Sequence, residues 1–579
     1  MRRLVAAVLF VAAVAGVPGV LRAQDHAAVT AEKAFDPIEI GRRIYRDGML
    51  PSGLPLQGAG PAGVILYGAH AACATCHRRS GYGSSEGPVE VRSITGAALF
   101  GDRVAPLAPG GAAAAVAPVD PAGLSPAEVA RARANALRAA RAAAFSGTRA
   151  RAAYDETSVA RAIREGVDVT GRAMHPSMPR YALEPAALAA LTAYLKTLSV
   201  QTAPGVTDDK VHFATVIQPG TDPAQRQALL QVLETFISDR NRGLQDQVMR
   251  EQGGNRRLGR VYREWVLHVW DLSGPKDGWD RQLQAYYDAR PVFAMVSGLG
   301  NASWQPIHDF SERNELPCIF PQVDMPVLSE RDFYTVYLSR GITLEAQALA
   351  QFLKLESGPV MQVFRRQGTG ATAAESLHKA LRDGAGAAPQ DIVLEGTPDD
   401  AYWQQLARRA AGSRLVLWLE PEDLAHAQTL AAAGSTAKAI YLSSSLSGGQ
   451  RKGLAADGSG RVRLVYPQDV PAVRDARLDV VKRWLRNNGI EPGNEKVQMN
   501  AYLAATVTGM LVTHSADTYS REFLLERMEH RLGTAIELSI YPHLSLGPGQ
   551  RYASKGSYIV QVGGADERQL TPLSDWIVP

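Results

Sequence analysis

From residue 210 onward, short apolar runs alternate with longer stretches whose apolar residues recur every three or four positions. Val211–Ile217 is a continuous apolar run, and Thr221-Asp222-Pro223 after it opens a predicted helix reaching Phe236. Arg263–Leu272 alternates, with Trp265, Leu267 and Val269 on one face, as a half-buried strand does. A helix over Pro275–Arg290, a strand over Pro291–Val296, a helix over Trp304–Asn314 and a strand over Leu316–Phe320 follow. Further strands are predicted at Val360–Phe364, Asp391–Leu394, Arg414–Leu419, Ala439–Leu442 and Val462–Tyr466, with helices between them. Such repetition predicts parallel sheets covered by helices on both faces. One sheet of that width would be very large, so two lobes are expected.

The first two hundred residues read differently. Asp36 is placed to cap a helix with Pro37 at its first position, and Gly48 to end it. Within that helix Gly41 and Tyr45 lie four apart, on a face suited to a close crossing. A second helix is predicted from Glu184-Pro185 through Tyr194, Leu195 and Leu198. The Ala-, Pro- and Arg-rich stretch from 105 to 151 reads as an insertion, helical over Ser125–Ala144. At the start, Arg2 and Arg3 precede an apolar run from Leu4 to Val20, and Leu21-Arg22-Ala23 offers a small-residue cleavage site. That order predicts a secretory signal peptide over residues 1–23 and a periplasmic protein, with an uncleaved anchor as the alternative. No later run is apolar for long enough to span a bilayer, so no membrane span is expected in the mature chain.

Composition narrows the class. With 579 residues, two or three domains are expected, and 46% hydrophobic with 21% charged residues excludes a disordered or collagen-like chain. The net charge of +4 includes Arg2, Arg3 and Arg22, which the cleavage would remove. No basic block with interleaved aromatics remains, so nucleic acid is not an expected partner. Three cysteines are too few for a disulfide scaffold, which directs attention to where two of them stand.

Cys73-Ala74-Thr75-Cys76-His77 has the C-x-x-C-H spacing of covalent haem attachment. Two thiols add to the two vinyl groups, and the adjacent histidine supplies an imidazole to iron. One motif predicts one haem c. The stretch from Asp168 to Tyr181, with Met178-Pro179-Arg180-Tyr181, resembles the methionine loop of small c-type cytochromes, and the flanking helices resemble that family's crossing pair. The resemblance implies Met178 as the second axial ligand, with Met174 and His175 as rivals. The cofactor set is then Cys73, Cys76, His77 and Met178, with His77 and Met178 on the metal. Residues 24–205 would form this cytochrome c domain, which carries 19 basic and 15 acidic residues. A mildly basic module suits an acidic periplasmic redox partner.

Residues 206–579 resemble a second family. The element order, Ser297-Gly298-Leu299-Gly300 after the third strand and the terminal Trp576-Ile577-Val578-Pro579 are similar to type-I periplasmic solute-binding proteins, the branched-chain amino-acid group above all. The resemblance implies two Rossmann-like lobes with a small-molecule ligand between them. The expected fold class is therefore multidomain: a small all-α cytochrome c domain, then a two-lobed α/β domain. Ligands of parallel sheets sit beyond the carboxyl ends of the strands. That rule selects Ser297, Gly298, Asn301 and Ser303 after the third strand, and Gln322 and Asp324 after the fourth. From the other lobe it selects Glu420, Ser443 and Ser444. Each of these residue types also serves as an ordinary helix cap or turn residue. Trp304 reads either as a cleft wall or as the start of a packed helix, and Cys318 as a buried thiol. Within residues 206–579 no nucleophile elbow, phosphate loop or paired histidines at metal spacing occur, so an electron carrier is expected rather than an enzyme. The alternatives are a haem-bearing ligand sensor and an electron-transfer subunit of a periplasmic dehydrogenase.

Overall fold

A computed structural model describes residues 36–86, 89–101, 152–252, 263–329, 331–384, 387–424, 430, 437–447, 460–513, 519–535, 538–547, 549–563 and 569–579. The predicted signal peptide and the predicted helix over Ser125–Ala144 lie outside them. Among the described residues no helix is long and apolar enough to cross a membrane.

The first helix spans Pro37–Asp47: the Asp36 side chain accepts from the Ile38 amide, and Gly48 ends it in the left-handed conformation. It crosses the helix Pro185–Thr197 at Gly41, where a Cβ would lie 2.1 Å from the Ala190 carbonyl oxygen. Only glycine allows that approach, so the two helices meet backbone to backbone. Tyr45 and Tyr194 pack beside the crossing with ring centroids 5.3 Å apart. The helix Glu156–Glu165 completes a core drawn from residues 44 to 198. This part is not wholly helical, because two short hairpins, Gln57–Ala59 with Ile65–Tyr67 and Ser84–Glu86 with Val89–Val91, interrupt it.

The remainder holds two sheets. The first runs Gln322–Val323, Leu299–Gly300, Lys210–Ile217, Ala294–Val296, Cys318–Ile319, Thr335–Ser339, Tyr552–Ser554, and Glu264–Asp271 also pairs with Lys210–Ile217. Its pairings are all parallel. The second runs Gln390–Leu394, Val360–Arg365, Arg414–Trp418, Ala439–Ser443, Val462–Tyr466, Tyr558–Val562, Leu570–Pro572, parallel except for the last two pairings. The chain passes between the sheets three times. It leaves the first after Ser339 and returns after Tyr466 to place the helices Pro471–Asn487, Glu495–Thr513 and Arg521–Ala535 on the first core. It then crosses once more between Ser554 and Tyr558. Two lobes joined by three short connections can rotate about those connections, which favours a hinged cleft.

Candidate functional site

The C-x-x-C-H residues form a single turn of helix, Cys73–His77. Cys73 packs against the first core and burial pushes its thiol up to about 12, while Cys76 is exposed. His77 Nδ1 lies 3.0 Å from the Arg92 carbonyl oxygen. A carbonyl only accepts, so Nδ1 carries the proton and Nε2 keeps its lone pair. This is how metal-binding histidines are usually oriented. Burial lowers the His77 pKa, which further favours the neutral ring.

The loop carrying Met174 and Met178 is tied to this turn from two sides. Tyr181 donates its hydroxyl to the Ala71 carbonyl at 2.8 Å, just ahead of Cys73. Arg180 pairs with Ala59 through two backbone hydrogen bonds of 2.8 and 2.9 Å. The stretch 49–66 thus braces the loop. Met174 packs against the same core as Cys73, Met178 is half-buried, and His175 is exposed with Nδ1 2.7 Å from the Ser177 hydroxyl. Leu54, Val64, Ile65 and Tyr67 on and beside the first hairpin stay exposed, apolar surface beside the braced loop. Two thiols, an imidazole with a free Nε2, a thioether loop and uncovered apolar side chains together fit a haem.

The basic residues next to this turn face acids of the same chain. Arg46 pairs with Glu315 and Glu522, and Arg78 with Glu529 at 3.5 Å. The Ser80 amide and hydroxyl both donate to Glu526, the amide at 2.9 Å. Tyr82 packs on Phe523 at 4.4 Å between centroids, and the Arg79 guanidinium sits 4.3 Å over Phe333. The segment immediately after His77 therefore rests on the helix Arg521–Ala535 of the first lobe.

A second site lies between the lobes, a cavity of about 250 Å³ lined by Asn301, Gln322 and Asp324 among the sequence candidates. Ser297 stands behind this lining: it is fully buried, and its hydroxyl accepts from Gln322 Nε2 at 3.2 Å. Its φ of 57° and the φ of 130° at Gly298 turn the chain sharply there. Gly298 is required, since a Cβ would sit 2.8 Å from the Val216 carbonyl oxygen. The Ser303 carbonyl accepts from Gln218, and Trp304 is fully buried in the lobe core rather than in the cleft. In the second lobe Glu420 is exposed at a helix start, and the buried Ser443 hydroxyl accepts from the Leu446 amide at 3.1 Å. Ser444 begins the short helix Ser444–Ser447, and Ser445 is the residue that reaches the cavity.

The residues that sequence reasoning missed come from later helices. Lys496 and Asn500 line the cavity from the helix Glu495–Thr513, and Tyr541 joins them. Lys496 lies 3.6 Å from Asp324. Behind Ser445, Glu345 is fully buried and accepts from the Ser445 amide at 3.2 Å and from its hydroxyl. Its signal was an acid set in the apolar face Ile342, Ala346, Leu349. His268 pairs with His212 at 3.0 Å on the neighbouring strand.

No family model matches this sequence, and no curated protein matches it. Solved structures similar to it include an extracellular ligand-binding receptor from Verminephrobacter eiseniae, 17% identical, covering 62% of this chain and 99% of that one, with a TM-score of 0.44. A fatty acid ABC transporter substrate-binding protein from Thermomonospora curvata is 14% identical over 66% of this chain and 95% of its own, with a TM-score of 0.46. A branched-chain amino acid ABC transporter protein from Thermus thermophilus with bound valine is 11% identical over 64% and 97%, with a TM-score of 0.45.

Proposed function

We propose that this chain is an exported electron-transfer protein. In this reading residues 24–205 form a monohaem c-type cytochrome module, and residues 206–579 a type-I solute-binding-like module that takes a small molecule between its lobes without transforming it. The observation that carries the first half is the His77 ring, held through Nδ1 by the Arg92 carbonyl so that Nε2 is free beside two thiols. Bound there, a haem would supply a one-electron ferric–ferrous couple. Cys73 and Cys76 would anchor it, and His77 and Met178 would hold its iron. The Arg180 bridge to Ala59 and the Tyr181 bond to Ala71 hold the methionine loop against that turn. The second half is supported by three connections between two parallel-sheet lobes and a polar cavity at their strand ends. A sensor reading is favoured by one further observation, the docking of the segment after His77 on the first lobe.

Absorption spectra of the oxidised and reduced protein test the ligation. Met178→Ala is expected to remove the thioether–iron charge-transfer band and lower the reduction potential, because a thioether favours the ferrous state. Met174→Ala is expected to keep both. The reverse pattern would assign the ligand to Met174. For the cleft, a bound solute raises the melting temperature, by about 2.7 kcal/mol of stabilisation at a hundredfold excess over its Kd. A screen of amino acids, alcohols, carboxylates and amines that moves no melting temperature would leave the second module as a docking domain only.

A further inference from the structure

The interlobe cavity has an unbalanced set of polar groups. Its ionisable carboxylates are Asp222 and Asp324, its only lysine is Lys496, and no arginine is among its lining residues. Glu345 adds a third carboxyl directly behind Ser445, from the helix Ile342–Lys354 of the other lobe. Asp222 is exposed and caps its own helix through the Ala224 amide, so the one ammonium serves two carboxyl groups, Asp324 and Glu345. Burial pushes the Glu345 carboxyl up to about 7, although Ser445, Ser443 and Lys496 pull the other way. Lys496 in turn is raised first by Asp324 and also by Glu345, so its charge is shared between the two lobes.

One acceptor of the lining is also left without a donor. Asn500 is 2% exposed, lines the cavity, and its Oδ1 has no partner, while its Nδ2 reaches Gln322 Oε1 at 3.5 Å. Glu345, behind the lining, is 0% exposed, and its Oε1 accepts from the Ser445 amide and hydroxyl. A buried acceptor left unpaired is costly, so at Asn500 the lining is one donor short. What it lacks is positive charge and an N–H donor. An incoming anion would meet excess negative charge and bring no donor.

We infer that the interlobe cavity takes a small solute bearing a protonated amino group and no carboxylate. This rests on the solute-binding reading above and specifies its ligand class. The ammonium donates to Asn500 Oδ1 and supplies the second positive charge that Asp324 and Glu345 require once both are ionised. Lys496 competes with it for those same carboxylates.

The test is isothermal titration calorimetry of the full chain at pH 8 with four solutes of matched length: butylamine, butyrate, 4-aminobutyrate and butanol. Butylamine is expected to bind at least tenfold more tightly than the zwitterion, and butyrate to give no heat. Glu345→Gln is expected to weaken butylamine binding at least tenfold. Lys496→Gln is expected to tighten it, because a competing cation is gone, whereas a variant that merely damaged the fold would weaken every solute. Binding of 4-aminobutyrate or butyrate in preference to butylamine would overturn the amine inference and leave solute binding standing. Binding of none of the four would overturn the inference as well, and the broader melting screen then decides separately whether the cleft binds any solute.

Discussion

Replacing Cys73 and Cys76 together by alanine is expected to abolish covalent haem in denaturing gels, with staining falling to background. Each thioether needs its own thiol, and the two stand one helical turn apart on Cys73–His77. Either single variant is expected to stain less than the parent. The helix turn itself is expected to survive, because it is held by Thr75, whose hydroxyl donates to the Ala69 carbonyl at 2.8 Å, and by the His77–Arg92 bond. Undiminished staining of the double variant, with the protein folded by circular dichroism, would remove the cytochrome reading altogether.

The second large effect concerns a residue that belongs to neither site. Arg521→Ala is expected to destabilise the protein by about 3–5 kcal/mol, read from chemical denaturation followed by tryptophan fluorescence. Its buried guanidinium donates to the carbonyls of Pro204, Val292, Phe293, Asn314 and Glu315 and to the Tyr287 hydroxyl, at 2.6 to 3.2 Å. Those carbonyls come from the segment joining the modules, a strand entrance and a loop between helix and strand. Removing the side chain leaves five acceptors without this donor, those of Val292 and Phe293 in buried hydrogen bonds. Arg521→Lys is expected to recover only part of the loss, since an ammonium has three donors and no planar fork. A loss below about 1 kcal/mol for the alanine variant would show that the carbonyls find other partners.

Much of the local structure was legible because its causes are local. Asp36, Pro37 and Gly48 bound the first helix as their backbone preferences require, and Gly41 marks the crossing because a Cβ has no room there. Val462–Tyr466 and the other central strands announce themselves as apolar runs. The strands Leu299–Gly300 and Gln322–Val323 are two residues long, too short for any periodicity, and were not read as strands at all. The helix predicted to reach Phe236 continues to Gln252, since no proline or capping residue stops it there. The cleft was harder still. Glu345, Ser445 and Lys496 are separated by 100 and 51 positions and meet only because the chain passes between the lobes and back. Ser297 looked like a ligand residue because it follows a strand, yet its left-handed backbone turns the hydroxyl toward Gln322. Strand ends point to a region, while the choice of residue within it depends on helices far along the chain.

The contacts that hold the first module, to Glu315, Phe333, Glu522, Phe523, Glu526 and Glu529, all belong to the first lobe. Any rotation about the three connections therefore carries the module along with that lobe and sweeps the second lobe past both. A paramagnetic centre in the first module would then be a fixed surveyor's mark. A spin label at an exposed site of the second lobe, such as Glu395, would change its distance from that mark whenever the cleft changes its aperture, while a label at Asp280 on the first lobe would not. With haem bound, the chain would carry its own ruler for the gap between its halves.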